Sequence, residues 1–210
     1  NKIFSWKEII PEKEIPISGA SIAGNKLIIN YLEDTLSKVE FYDLIGNFIK
    51  NLTFEGRGTL SGFYGKLENK KSYFEFSNFT TPQRIYELDL DSLDYELYWE
   101  TKIKDLNVDN YESNLFFYES KDNTQIPIHI SNKKGLEINA ETPVLLYGYG
   151  GFNIPILPYF SKTFYMWIKS GGVLAVANLR GGGEYGDSWH EAGMLLNKQN
   201  VFDDFAYGAK

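Results

Sequence analysis

The sequence predicts a mixed fold, a run of short β-strands followed by an α/β segment, and three observations carry that prediction. Residues 1 to about 110 hold short apolar–polar alternations, rich in aromatic and β-branched residues and separated by turns. From about Tyr111 the pattern changes to continuous apolar runs joined by a segment of helical spacing. Two stretches of the first half also match each other at a fixed offset.

The strands of the first half are expected at Lys26–Tyr31, Lys38–Tyr42, Ser72–Phe76 and Arg84–Leu90. Asp43-Leu44 aligns with Asp89-Leu90 at an offset of 46 residues (43 to 89), and there Val39 falls on Ile85 and Leu27 on Tyr73. That period suits four-stranded propeller blades, although any hairpin-rich sheet can give two such copies. In the second half, strands at Leu115–Tyr118 and Gln125–Ile130 flank the turn Lys121–Thr124. Pro143–Tyr149 reads as a strand buried on both faces. A helix is expected over Tyr159–Ser170, with Phe160, Phe164, Trp167 and Ile168 on one side and Gly171 as its C-terminal cap. Val173–Leu179 is a second buried strand, which completes a βαβ unit and implies a parallel sheet. Asn200 is expected to cap a last helix through Phe202, Phe205 and Ala209, with Asp203 in its first turn. Two parallel strands cannot bury themselves, so the sheet is expected to continue past Lys210.

Composition narrows the function. With 43% hydrophobic and 16% aromatic residues, the 210-residue chain has ample core material. A net charge of -7 argues against a nucleic-acid partner, which needs a clustered basic face. No run approaches the roughly 20 apolar residues that span a bilayer, so no membrane partner is expected. The absence of cysteine excludes disulfides and thiolate metal sites, and fits a reducing, cytoplasmic setting. Because the chain starts at Asn1 rather than methionine, the lack of a signal segment says little.

Two glycine-rich stretches follow the buried strands, where α/β proteins place their sites. In Tyr147–Asn153 three glycines allow sharp turns, and Tyr149 between them can project its hydroxyl into a cleft; simple loop packing explains the same residues. Arg180–Gly186 contains a formal G-x-G-x-x-G at Gly181, Gly183 and Gly186, with Asp203 further on. A dinucleotide reading is weak, because the acidic partner belongs at the end of the next strand and Asp203 falls in a helix. Glu184 would also repel a pyrophosphate. His129 and His190 lack paired ligand spacing and read as structural, so neither metal nor cofactor is expected. No G-x-S-x-G nucleophile elbow occurs in the chain.

Taken together, Leu145–Ile154, Leu174–Gly186, Trp189-His190, Asn197–Asn200 and Phe202–Phe205 resemble the prolyl oligopeptidase family of serine peptidases. Tyr118–Asp122, Gln125–Pro127 and Phe79–Pro82 extend the likeness upstream. The resemblance implies C-terminal propeller blades over residues 1–110, then the first part of an α/β-hydrolase catalytic domain over 111–210. It implies cleavage of short peptides after proline, though a related oligopeptidase selective for basic residues shares the glycine motifs. Tyr149 matches the family's oxyanion-donating tyrosine, and Phe152 an aromatic of the substrate pocket. The family's serine, aspartate and histidine have no match here. The chain alone is thus expected to be inactive, its partner being the remainder of the same polypeptide. The other reading is a decayed remnant acting as an interaction module.

Overall fold

Each of the first two sheets is a meander of four antiparallel strands. The structure, a computed structural model, describes residues 7–210. In it β1 (Ile17–Ala23), β2 (Lys26–Glu33), β3 (Leu36–Asp43) and β4 (Phe48–Asn51) pair in chain order. The strands β5 (Thr59–Tyr64), β6 (Lys71–Ser77), β7 (Arg84–Asp89) and β8 (Tyr95–Glu100) do the same. These are propeller blades in form. The offset seen in the sequence lays β2 on β6 and β3 on β7. Both third strands end in the same device, an aspartate that binds the backbone of its own turn. Asp43 accepts the N–H groups of Ile45 and Asn47, and Asp89 those of Asp91 and Ser92.

Strand alternation puts one face of each blade into a shared core. Along β6, Ser72, Phe74 and Phe76 are buried while Lys71 and Tyr73 face out. Phe74 and Phe76 meet Ile28, Val39 and Phe41 of the first blade, and Phe74 stacks on Phe63 at 4.9 Å between ring centroids.

The third sheet holds β9 (Tyr111–Glu119), β10 (Gln125–Lys133), β11 (Val144–Gly148) and β12 (Val173–Ala177), in the order β11-β12-β10-β9. As the βαβ pattern predicts, β11 and β12 pair in parallel, with α1 (Lys162–Lys169) between them in sequence. The sheet is nonetheless mixed, because β12 pairs antiparallel with β10. Every residue of β12 is buried. The expectation of burial on both faces fails for β11: with β12 as its one neighbour among the described residues, it leaves Val144 54% exposed.

Both helix starts differ from the sequence reading. Helix α1 begins at Lys162 rather than Tyr159, after Ser161, whose hydroxyl accepts the Phe164 N–H. Phe160 stays outside the helix but packs on the same core as Tyr165 and Ile168. Gly171 follows at φ +96°, the left-handed turn expected of a C-terminal cap. After the short α2 (Asp187–Glu191), α3 (Lys198–Gly208) starts two residues before Asn200. The Asn200 amide donates instead to the Ala192 carbonyl, and Asp203 falls in the second turn.

Blades and α/β sheet are packed together. Phe79, between β6 and β7, enters the core under α1 with Tyr165, Ile168 and Leu174. At the tip of the β2–β3 hairpin, Thr35 Oγ1 lies 2.7 Å from His129 Nε2, and Asp34 accepts the Tyr185 hydroxyl at 3.1 Å. Among the described residues, no helix is long and apolar enough to cross a membrane.

Candidate active site

The two glycine-rich loops leave the C-terminal ends of the parallel strands β11 and β12, the edge at which α/β sheets place ligands. In the first loop Gly150, Phe152 and Asn153 all have left-handed φ, at +59°, +55° and +56°. Gly150 admits no side chain: a Cβ there would stand 2.5 Å from Val201 Cγ1 and 2.8 Å from the Arg180 carbonyl oxygen.

The loops interlock. Asn153 N–H donates to the Gly181 carbonyl at 3.1 Å. His190 Nδ1 lies 2.8 Å from that oxygen and 3.1 Å from the Asn153 nitrogen. The Asn153 N–H is directed at both the Gly181 carbonyl and the ring nitrogen, so one compact cluster joins the two loops. From the start of α3, Lys198 Nζ donates to the Gly150 carbonyl at 2.6 Å.

The loop leaves two aromatics in the open. Tyr149 is 43% exposed and Phe152 83%. Phe152 lines an open, mainly apolar cleft of about 530 Å³ with Gly151, His190, Met194, Leu195 and Lys198. Tyr149 lies on the same loop outside that lining.

The formal dinucleotide fingerprint is filled by the protein's own backbone. A Cβ on Gly181 would come within 2.8 Å of the Gly150 oxygen, and one on Gly183 within 2.7 Å of the Asn153 oxygen. These glycines allow one loop to lie on the other. The helix after Gly186 spans five residues, and Asp203 is engaged by Gln199 and Lys121.

Three polar side chains are buried behind the loops and at the blade seam: Arg180, Glu184 and His129, the last of which the sequence already reads as structural. Arg180, 4% exposed, binds Asp204 through Nε at 3.0 Å and Nη2 at 2.6 Å. It also binds Asp122 through Nη1 at 2.6 Å, which holds that carboxyl down to about 2. Glu184, 1% exposed, accepts the Ile156 N–H at 2.9 Å and the Asn178 amide at 3.2 Å through Oε1. Its Oε2 has no partner among the described residues, and burial pushes its carboxyl above the usual range. His129 is buried beside Thr35, where burial and the Arg57 charge lower it to about 4. Long-range contacts of this kind leave no periodic signal.

Two blades packed against a mixed α/β sheet, with glycine loops at the C-terminal ends of its parallel strands, have the architecture of a β-propeller joined to the first part of an α/β-hydrolase fold. Residues 2–101 match the family model described as "Prolyl oligopeptidase, N-terminal beta-propeller domain". Residues 158–210 match the one described as "Prolyl oligopeptidase family". The chain belongs to the prolyl oligopeptidase family. It is 43% identical over 201 residues to the prolyl endopeptidase of Elizabethkingia miricola, covering 96% of this chain and 28% of that protein. It is 37% identical over 211 residues to that of Dictyostelium discoideum, covering 99% and 28%. A solved structure from a study of two prolyl endopeptidases superposes with a TM-score of 0.92 at 41% identity, over 98% of this chain and 30% of that one. Prolyl oligopeptidase B of Galerina marginata, bound to a 35mer hydrolysis and macrocyclization substrate, gives 0.90 at 29% identity, over 97% and 29%. The chain thus spans somewhat over a quarter of the length of these relatives.

Proposed function

We propose that this chain supplies the oxyanion-binding and pocket-lining side of a serine endopeptidase that cleaves short peptides after proline. The observation that carries the reading is the loop after β11: its interlocked backbone holds Tyr149 and Phe152 exposed at the active edge of the sheet. A phenolic O–H fixed in this way can donate to a carbonyl oxygen as it gains negative charge, a bond stronger in the transition state than in the ground state. The Phe152 ring beside the apolar cleft suits the face of a proline side chain. In this reading the domain boundary lies near residue 110, and the serine and its base come from the remainder of the same polypeptide. The chain by itself is then inactive. Relatives named prolyl endopeptidase support proline over basic residues at the cleavage point. The cysteine-free composition fits a reducing, cytoplasmic setting.

The test compares two fluorogenic peptides that differ in proline or arginine before the scissile bond. The full-length polypeptide should favour the proline peptide in kcat/KM, and the isolated chain should hydrolyse neither above buffer. Preference for arginine would move the assignment to a basic-residue oligopeptidase. No turnover by the full-length polypeptide would favour the inactive remnant.

A further inference from the structure

The loop that carries Tyr149 and Phe152 is conformationally expensive. Three of its five consecutive residues, Gly150, Phe152 and Asn153, have left-handed φ, and two of these are not glycine. Such backbone persists only where its surroundings over-determine it. Three hydrogen bonds made by the loop itself do so. Asn153 N–H donates to Gly181 O at 3.1 Å, and Ile154 N–H to Gly151 O at 3.1 Å. The third is the Lys198 ammonium on Gly150 O at 2.6 Å. The third reaches the loop from α3, and it is short and charge-assisted.

Lys198 is also firmly placed. It opens α3, whose Asp204 is fully buried and held by Arg180, itself three residues beyond Ala177 at the end of β12. The ammonium therefore ties the Tyr149 loop to an element clamped to the neighbouring strand. The anchored carbonyl is one residue after Tyr149 and two before Phe152, and the lysine stem walls the same cleft as Phe152.

We infer that Lys198 is the positioning residue of this site: it fixes the Gly150 peptide, and through it the Tyr149 hydroxyl. The inference rests on Tyr149 as oxyanion donor. Misplacement of a reacting group by about 1 Å can cost on the order of a hundredfold in rate. In the full-length polypeptide Lys198→Met, which keeps an apolar stem and removes the charge, should lower kcat on the proline peptide about ten- to a hundredfold. Lys198→Arg should restore most of the loss, and the melting temperature should stay close to that of the parent. In a Tyr149→Phe background, Lys198→Met should cost less than about twofold more, because the hydroxyl it positions is gone. An unchanged kcat in Lys198→Met, or an equal loss in both backgrounds, would overturn the inference. If Tyr149→Phe alone leaves kcat intact, the oxyanion reading has failed instead. Amide exchange at 149–153 then decides the anchor: faster exchange in Lys198→Met upholds it, and unchanged exchange refutes it.

Discussion

Arg180 is almost wholly out of water, yet its charge is met from two sides. Burial works against the cation, and the bonds to Asp204 and Asp122 more than offset that, so its pKa is raised. Asp204 also accepts the Ser120 hydroxyl at 2.6 Å and the Arg180 backbone N–H at 3.2 Å. One side chain therefore binds the second glycine loop, α3 and the β9–β10 turn together. Buried pairs of this kind do not in general add net stability, but removing one partner strands the other charge. Arg180→Met should destabilise the full-length polypeptide by about 3–5 kcal/mol. Pairing it with Asp204→Leu should recover much of that loss in urea unfolding. A single substitution costing less than about 1 kcal/mol would mean that water reaches Asp204.

At the level of elements, legibility followed the range of the interaction that decides each one. The blade strands were readable because alternation along β6 is a local property, and Asp43 and Asp89 bind backbone only a few residues away. Helix α1 starts three residues later than its aromatic pattern suggests. Aromatics stand on both sides of the true start, at Tyr159, Phe160 and Phe164, and periodicity alone cannot bound the helix. The usable signal was Ser161, a capping residue three positions before Phe164. For β11 the apolar run Leu145-Leu146 reported composition, whereas exposure depends on which strands lie alongside. Tyr149 and Phe152 were picked out through resemblance. Lys198 was not, because its partner Gly150 lies 48 residues away and a lysine opening a helix looks like any other.

At the scale of the molecule, the blades sit on the α/β sheet through a seam that includes a buried titratable group. His129 is 3% exposed, with Phe79 at 5.4 Å between ring centroids and Thr35 of the first blade 2.7 Å from its Nε2. Arg57 is the charged group that acts on it, and burial with that charge lowers its pKa to about 4. The unfolded imidazole takes its proton near pH 6.5. Between these values the unfolded state binds more protons, so stability is complete above about pH 6.5 and falls as pH drops towards 4. The slope should reach at most about 1.4 kcal/mol per pH unit. His129→Gln, which does not titrate, should flatten that limb of the unfolding profile. Identical profiles for parent and variant between pH 4 and 6.5 would show that the ring is solvated.

The central claim is that the loop after β11 carries the oxyanion donor of a serine peptidase. Tyr149→Phe tests it most directly, because the ring and its packing remain and only the hydroxyl is lost. In the full-length polypeptide, the account predicts that kcat on the proline peptide falls by about 10²–10³. KM and the melting temperature should barely change, since neither ground-state binding nor folding depends on that hydroxyl. A Tyr149→Phe enzyme with parental kcat would contradict the account.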